Sequence, residues 1–274
     1  MELERNLAAV RKQGLGVAAI SYDSVAVLKN FADRQHITFP LLSDSGSKMI
    51  RAFGILNETV KPDTAFYGIP YPGTYIVNVQ GKVQSKYFED DFRERVSASD
   101  ILIQESGTQA DAGRRVSETK HLRLITTAST QAARPGTKIV LSLEVDLKPG
   151  MHVYAPEVQG YIPIEWKLEE GAAAKPRVFE YPRSRMMHLK AIGETVPVYR
   201  DRVRINREIT FGSEDLLKPL VSQTGDLILK GSFRYQACDD SKCYIPETVP
   251  LEWHFHFEAL ERERVPSDLQ RKLQ

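Results

Sequence analysis

Residues 233–253 read FRYQACDDSKCYIPETVPLEW: an alternating run, a cysteine, a short polar loop, a second cysteine and another alternating run. Cys238 and Cys243 are the chain's two cysteines. The flanking runs, DLILKGSFRYQA from Asp226 and TVPLEWHFHF from Thr248, put apolar residues at every second position. That is the period of a half-buried strand. A bridge between the thiols would join the end of one strand to the next across a turn. Two thiols this close are a local bridge, half of a metal site or a redox pair. Half a metal site is disfavoured, because two sulfurs need two further ligands within reach.

The same alternation extends upstream through HLRLITTAS (121–129), TKIVLSLEVDL (137–147), PIEWKL (163–168) and RVRINREITF (202–211). Turn signals stand between the runs at Pro149-Gly150, Glu170-Gly171, Pro182 and Thr224-Gly225. This many short strands in residues 121–258 predicts a two-sheet immunoglobulin-like β-sandwich, with a barrel as the alternative. Trp166 and Trp253 are expected in its core, and Met186-Met187 in core or loop contacts. His254 and His256, at i, i+2, read as a half-exposed strand face. Residues 259–274, with Glu261-Arg262-Glu263-Arg264, read as a charged tail.

Residues 105–120, rich in Ser, Gly, Thr, Ala and Asp, read as a domain linker. Before the linker the grammar is helical and strand-like by turns. Leu3, Leu7 and Val10 recur at helical spacing up to Gly14, and Leu15–Ile20 reads as a buried strand. A helix over 24–35 begins at the cap Asp23 or Ser24, and Thr38–Leu42 is strand-like. A short helix follows over 46–53. Gly73–Asn78, the turn Gln80-Gly81 and Lys82–Gln84 read as a hairpin, and a last helix covers about 90–104. The order αβαβα then ββα predicts an α/β layered sheet over 1–104.

The stretches GLGVAAISYDS (14–24), ITFPLLSDSGSKMIRAFGI (37–55) and IPYPGTYIVNVQGKV (69–83), with the closing helix, resemble the redoxin and alkyl hydroperoxide reductase branch of the thioredoxin-like superfamily. By that resemblance Pro72 stands where the superfamily has a cis-proline before a central strand. Family members start with one or two further strands and a loop carrying the reactive cysteine, whereas this chain begins inside the helix that follows. An upstream segment, signal peptide included, is therefore expected, the alternative being a half-domain remnant that serves as a scaffold. No cysteine lies between residues 1 and 237. Peroxide reduction on this fold needs a thiolate, so no peroxidase activity is expected from residues 1–104 as they stand.

A second resemblance covers roughly 121–258. GMHVYAPE (150–157), IPIEWKL (162–168), IGETVPVYRDRV (192–203) and FRYQACDDSKCYIPETVPLEW (233–253) resemble the N-terminal domain of DsbD-type thiol:disulfide interchange proteins. The resemblance implies an extracytoplasmic, periplasmic electron carrier. It would take two electrons from a thioredoxin-like redox protein or membrane electron donor and pass them to oxidised protein substrates. It also implies that Cys243 bonds the partner and Cys238 resolves. The loop between the cysteines is one residue shorter than the family's usual one. Where the family's cap segment carries an aromatic that shields the disulfide, this chain has Ile192, Gly193 and Glu194.

Around the pair, Asp239 and Asp240 oppose a thiolate and Lys242 supports one, so a relay awaiting an activated partner is expected rather than a fast oxidant. Tyr235 and Tyr244 flank the pair and would screen it or fill strand positions. The rival readings are a peroxiredoxin-like antioxidant whose catalytic segment lies elsewhere, and a binding sandwich with a structural disulfide. No cofactor and no metal are expected. The chain has 274 residues, 42% hydrophobic and 27% charged, with a net charge of +1. That charge creates no field to gather nucleic acid. No apolar run approaches a membrane span, and at face value the start reads as cytoplasmic. The expected whole is a two-domain α/β plus all-β oxidoreductase: a partial thioredoxin-like sheet followed by the sandwich.

Overall fold

The computed structural model describes residues 2–270, except 90, 92, 107–110, 170, 172 and 190–192. The chain divides into two compact units, Met1–Gly107 with Glu261–Gln274, and Thr108–Leu260.

In the first unit the order is α1 (Glu2–Arg5), α2 (Leu7–Lys12), β1 (Ala19–Ser21), α3 (Val25–Gln35), β2 (Leu41–Ser43) and α4 (Lys48–Ala52). It continues with β3 (Gly73–Val77), β4 (Val83–Phe88), β5 (Arg95–Val96) and α5 (Ala98–Ser106). Leu7, Val10, Leu28, Phe39, Ile50 and Leu102 are buried. The Ser24 hydroxyl caps α3 by accepting from the Val27 amide. Helix α5 begins later than the apolar spacing suggested, because Ser97 Oγ accepts the Asp100 amide and fixes the first turn there.

The expected single layered sheet is replaced by two separate ladders. Strands β1 and β2 pair in parallel, and β3 and β4 form an antiparallel hairpin. Among the described residues no strand lies between them to carry the hydrogen bonds across. Ile20, expected in a buried strand, is accordingly 50% exposed. Pro72 follows a trans peptide bond, since the described residues contain no cis peptide. The trans form is the default for X–Pro by about 0.5–1 kcal/mol, and a two-stranded ribbon supplies little packing to overturn it. Glu261 and Glu263 return to α3, where they meet Gln35 and Arg34 respectively.

The second unit contains β6 (Ala112–Glu118), β7 (Leu122–Ala128), β8 (Ala132–Ala133), β9 (Thr137–Leu147), β10 (His152–Tyr154) and β11 (Glu165–Leu168). It continues with β12 (Ala174–Pro176), β13 (Arg185–Leu189), β14 (Glu194–Arg200), β15 (Arg202–Phe211), the short α6 (Glu214–Leu217), β16 (Asp226–Tyr235), β17 (Ala237–Cys238) and β18 (Glu247–Phe257). One sheet runs β12-β15-β9-β7-β6, a second β11-β16-β18-β8 and a third β13-β14-β10-β17. These are open orders, so the sandwich holds and the barrel does not. Residues 112–118, read as linker, form β6 instead, antiparallel to β7. Pairing with β7, which is buried along nearly its whole length, overrides the segment's own polar composition.

The inward faces meet in one core, which includes Leu122, Ile139, Leu143, Ile205, Phe233 and Phe255. Trp166 and Trp253 stack at its centre, ring centroids 5.5 Å apart, and Trp253 Nε1 donates to the Thr127 carbonyl at 3.0 Å. Where β16 passes β11, a Cβ on Gly231 would lie 2.5 Å from the Lys167 carbonyl oxygen. A methyl group cannot fit against that backbone. Gly231→Ala is therefore expected to cost about 1–3 kcal/mol, the usual range for overpacking. Urea unfolding followed by circular dichroism measures it, and a neutral result would mean that β11 can move aside.

Candidate functional site

Strand β16 leaves the second sheet at Tyr235, and after Gln236 the chain joins the third sheet as β17. Alternation then decides where each side chain goes. Ala237 faces the main core with Phe233 and Tyr235, while Cys238 turns to the opposite face. There Cys238 is 1% exposed and packs with Tyr154, Val196 and Val198. The chain then turns through Asp239–Lys242 and returns, so that Cys243 stands opposite Cys238 as an isolated antiparallel bridge. The two cysteines form a disulfide. Cys243, on the outer side of the turn, is exposed.

The turn is held by its own polar groups. The Asp239 amide donates to the Lys242 carbonyl, and the Tyr244 amide donates to the Ala237 carbonyl. The Asp239 carboxylate accepts from the Ser241 hydroxyl and amide, the Lys242 amide and the Tyr244 hydroxyl, all within 2.6–2.9 Å. Those bonds, the Ser241 hydroxyl foremost, hold its carboxyl well below the usual carboxylate range. Lys242 Nζ lies 5.1 Å from the Tyr244 ring centroid, and the His121 and Tyr244 ring centroids are 4.2 Å apart. Gln236 Nε2 donates to the Tyr244 carbonyl at 2.9 Å and ties the turn to the strand switch. Asp240 is exposed at the turn's corner.

Strand β10 lies beside the pair. His152 is in register with Cys238 and Val153 with Ala237, while the other edge of β10 pairs with β14. Tyr154 is 1% exposed, and its hydroxyl lies 3.5 Å from Cys243 Sγ. Burial, with a smaller contribution from Glu194, raises the Tyr154 phenol. Tyr161 stacks on Tyr154 at 4.5 Å, and its hydroxyl donates to Glu194 Oε2 at 2.6 Å. That bond pushes the Tyr161 phenol up to about 12.

Of the residues singled out from sequence, Cys238, Cys243, Asp239, Asp240, Lys242 and Tyr244 share this turn. Glu194 reaches it through Tyr161 and Tyr154. Gly193 sits at the β13–β14 turn with φ +73°, its amide bonded to the Leu189 carbonyl, and Ile192 lies outside the described residues. Tyr235 departs from expectation. It lies in the main core with its hydroxyl on Thr119 Oγ1 at 2.8 Å, because strand alternation points it away from the disulfide. Pro72 belongs to the first unit and has no part in this turn. His254 pairs with Glu252 at 2.9 Å. Among the described residues no cluster of His, Cys, Asp and Glu is arranged to hold a metal ion.

His152, Tyr154 and Tyr161 were missed, while Met187, expected in core or loop contacts, packs against the cluster of Tyr154, Val196, Val198 and Cys238. Their signal was local: His152 and Tyr154 alternate within GMHVYAPE, but a three-residue strand gives too short a pattern to show which face it serves.

Asp239 generates a pH prediction. Its folded-state pKa is depressed, so its contribution is fully present above the unfolded value of about 3.9 and is lost as pH falls through the folded pKa. Asp239→Ala should lower Tm by a constant amount across pH 5–8, with the gap closing only in stronger acid. Thermal melts across that series test it, and a gap that closes between pH 5 and 8 would assign the effect to another group.

Comparisons with known proteins fall on the two units separately. Residues 1–86 match the family model described as AhpC/TSA family, and residues 123–252 match that of the thiol:disulfide interchange protein DsbD, N-terminal. Peroxiredoxin Bcp of Escherichia coli is 30% identical over 95 residues, 33% of this chain and 56% of that protein. A putative peroxiredoxin of Mycobacterium tuberculosis is 35% identical over 78 residues, 28% of this chain and 49% of that protein. The chain thus spans about half the length of these curated relatives. Among solved structures, the N-terminal periplasmic domain of ScsB from Proteus mirabilis aligns with TM-score 0.36 and 15% identity, over 54% of this chain and 52% of that one. No helix among the described residues is long and apolar enough to cross a membrane. The first unit is thus similar to the AhpC/TSA family, and the immunoglobulin-like sandwich to the DsbD N-terminal domain.

Proposed function

We propose that the second unit is a thiol:disulfide electron relay working through Cys238 and Cys243. The observation that carries this reading is the asymmetry of the pair: Cys243 is exposed and Cys238 is 1% exposed. An incoming thiolate can reach one sulfur and not the other. Its attack on Cys243 Sγ forms a mixed disulfide and displaces Cys238 as a thiolate. The partner's second thiol then loses its proton, attacks the partner's own sulfur and releases Cys243. Two electrons and two protons have moved from a partner dithiol to the pair, leaving two thiols here and a disulfide on the partner. The reverse sequence passes them to an oxidised protein.

The DsbD N-terminal match supports a thioredoxin-like donor, oxidised protein acceptors and an extracytoplasmic setting. The anionic Asp239 beside the pair disfavours a thiolate at Cys243, which suits a carrier that waits for an activated partner. The peroxide-reducing alternative gains nothing from these residues, because positions 1–237 hold no cysteine. A structural staple gains little either, since closing so short a loop stabilises by about 2 kcal/mol.

The pair's reduction potential, measured by mass spectrometry in defined thiol buffers, should lie well above about −300 mV. A lower value, or a bridge that resists reduction until the domain unfolds, would make it a staple. In the single variants, Cys243 of Cys238→Ser should be alkylated by iodoacetamide at least about tenfold faster than Cys238 of Cys243→Ser, following access. Equal rates would remove the asymmetry on which the reading stands.

A further inference from the structure

Attack at Cys243 turns Cys238 into a leaving group inside the protein. The electron pair of the broken S–S bond stays on Cys238 Sγ, which packs among Tyr154, Val196 and Val198. Burial in apolar surroundings disfavours a thiolate, so this charge appears where it is least welcome. Tyr154 is no remedy for Cys238, because its hydroxyl addresses Cys243.

Directly across the β10–β17 ladder from Cys238 stands His152. Residues paired in this way share one face of the sheet, with Cβ atoms about 4.5–5.5 Å apart. His152 is 1% exposed, and both its ring nitrogens are buried without a hydrogen-bond partner among the described residues. Buried polar groups are normally paired, so an imidazole left unpaired in the disulfide state invites a partner that arises in another state. Its charged surroundings are Arg200, in register on β14, and Asp239 and Asp240 in the turn; the Tyr154 ring lies edge-on at 5.7 Å. Burial, helped by Arg200 and opposed by the two aspartates, keeps the ring below its ordinary pKa. The neutral imidazole that results carries one N–H and one acceptor nitrogen.

We propose that His152 is the proton donor to Cys238 during exchange, an inference that rests on the relay reading above. In the mixed disulfide its N–H hydrogen-bonds the departing Cys238 thiolate. When reduction completes, that proton passes to Cys238 Sγ, making the thiol, and the ring's other nitrogen takes up a proton released from the partner's second thiol through water. The imidazole ends neutral, with its tautomer exchanged. In the oxidising direction it accepts the Cys238 proton as that sulfur attacks the mixed disulfide.

The test is the rate at which dithiothreitol reduces the bridge in the folded, full chain, measured from pH 6 to 9 and expressed per dithiothreitol thiolate. His152→Phe should slow it by about tenfold or more, the factor expected for losing a hydrogen bond to a charged group. His152→Gln, which keeps an N–H donor, should restore it to within about threefold of wild type. A His152→Phe variant that melts normally and reduces at the wild-type rate overturns the inference and leaves the relay reading intact. A wild-type bridge that dithiothreitol cannot reduce without unfolding overturns the relay reading, and the inference with it. Should the phenylalanine variant fail to fold, nitrogen NMR of His152 in the wild type decides: the ring nitrogens should shift between the oxidised and reduced protein, and unchanged shifts would sink the proposal.

Discussion

The site depends on one backbone event, the passage of the chain from β16 to β17 at Gln236. A strand presents its side chains to alternate faces, so a chain that changes sheets without breaking extension sends neighbouring residues into different surroundings. Ala237 stays with the main core, and Cys238 goes to the face formed by β10 and β14. The hydrogen bonds of His152 and Val153 on one side, and Gln236 on the other, hold this switch in place. Everything chemical follows from it. One sulfur is buried because it sits on a strand, and the other is exposed because it sits at the end of a four-residue turn.

The turn solves a separate problem. Five residues after Cys238 the chain must be back beside it, with the backbone groups of the corner satisfied. Asp239 does this with a carboxylate that accepts four hydrogen bonds, which fixes the loop and also fixes a negative charge next to the disulfide. The structural need and the redox consequence come from the same side chain. A thiolate beside a permanent carboxylate is disfavoured, so the geometry that closes the loop also restrains the pair.

Much of the sandwich was legible because its long strands alternate over enough residues to show a period. Strand β9, with eleven residues, and β18 could be read directly. Strands β10 and β17, of three and two residues, could not, although they position the disulfide. Nor could β6, whose polar sequence reads as linker until β7 supplies its partner. The same limit explains Tyr235 and His152. Proximity in sequence placed Tyr235 at the site, and alternation takes it away. Nothing in sequence placed His152 near Cys238, since their meeting depends on a register between segments more than eighty positions apart. In the first unit, the cap at Ser24 marked the start of α3, whereas the Ser97 hydroxyl that fixes the start of α5 was not read from the sequence.

The two units divide the chemistry unequally. The first carries the pattern of a redoxin but no sulfur nucleophile within residues 1–237, so it contributes no thiolate to cleave a peroxide bond. The second carries both sulfurs in an arrangement that favours acceptance over attack. Burial disfavours a thiolate at Cys238, and anionic Asp239 opposes one at Cys243 while Lys242 supports it. On the relay reading proposed above, such a pair would hold its electrons until a partner brings a reactive disulfide to Cys243, and would take them from a partner that arrives as a thiolate. On that reading control of electron flow lies in what can reach Cys243, because the turn exposes this sulfur while the strand buries Cys238.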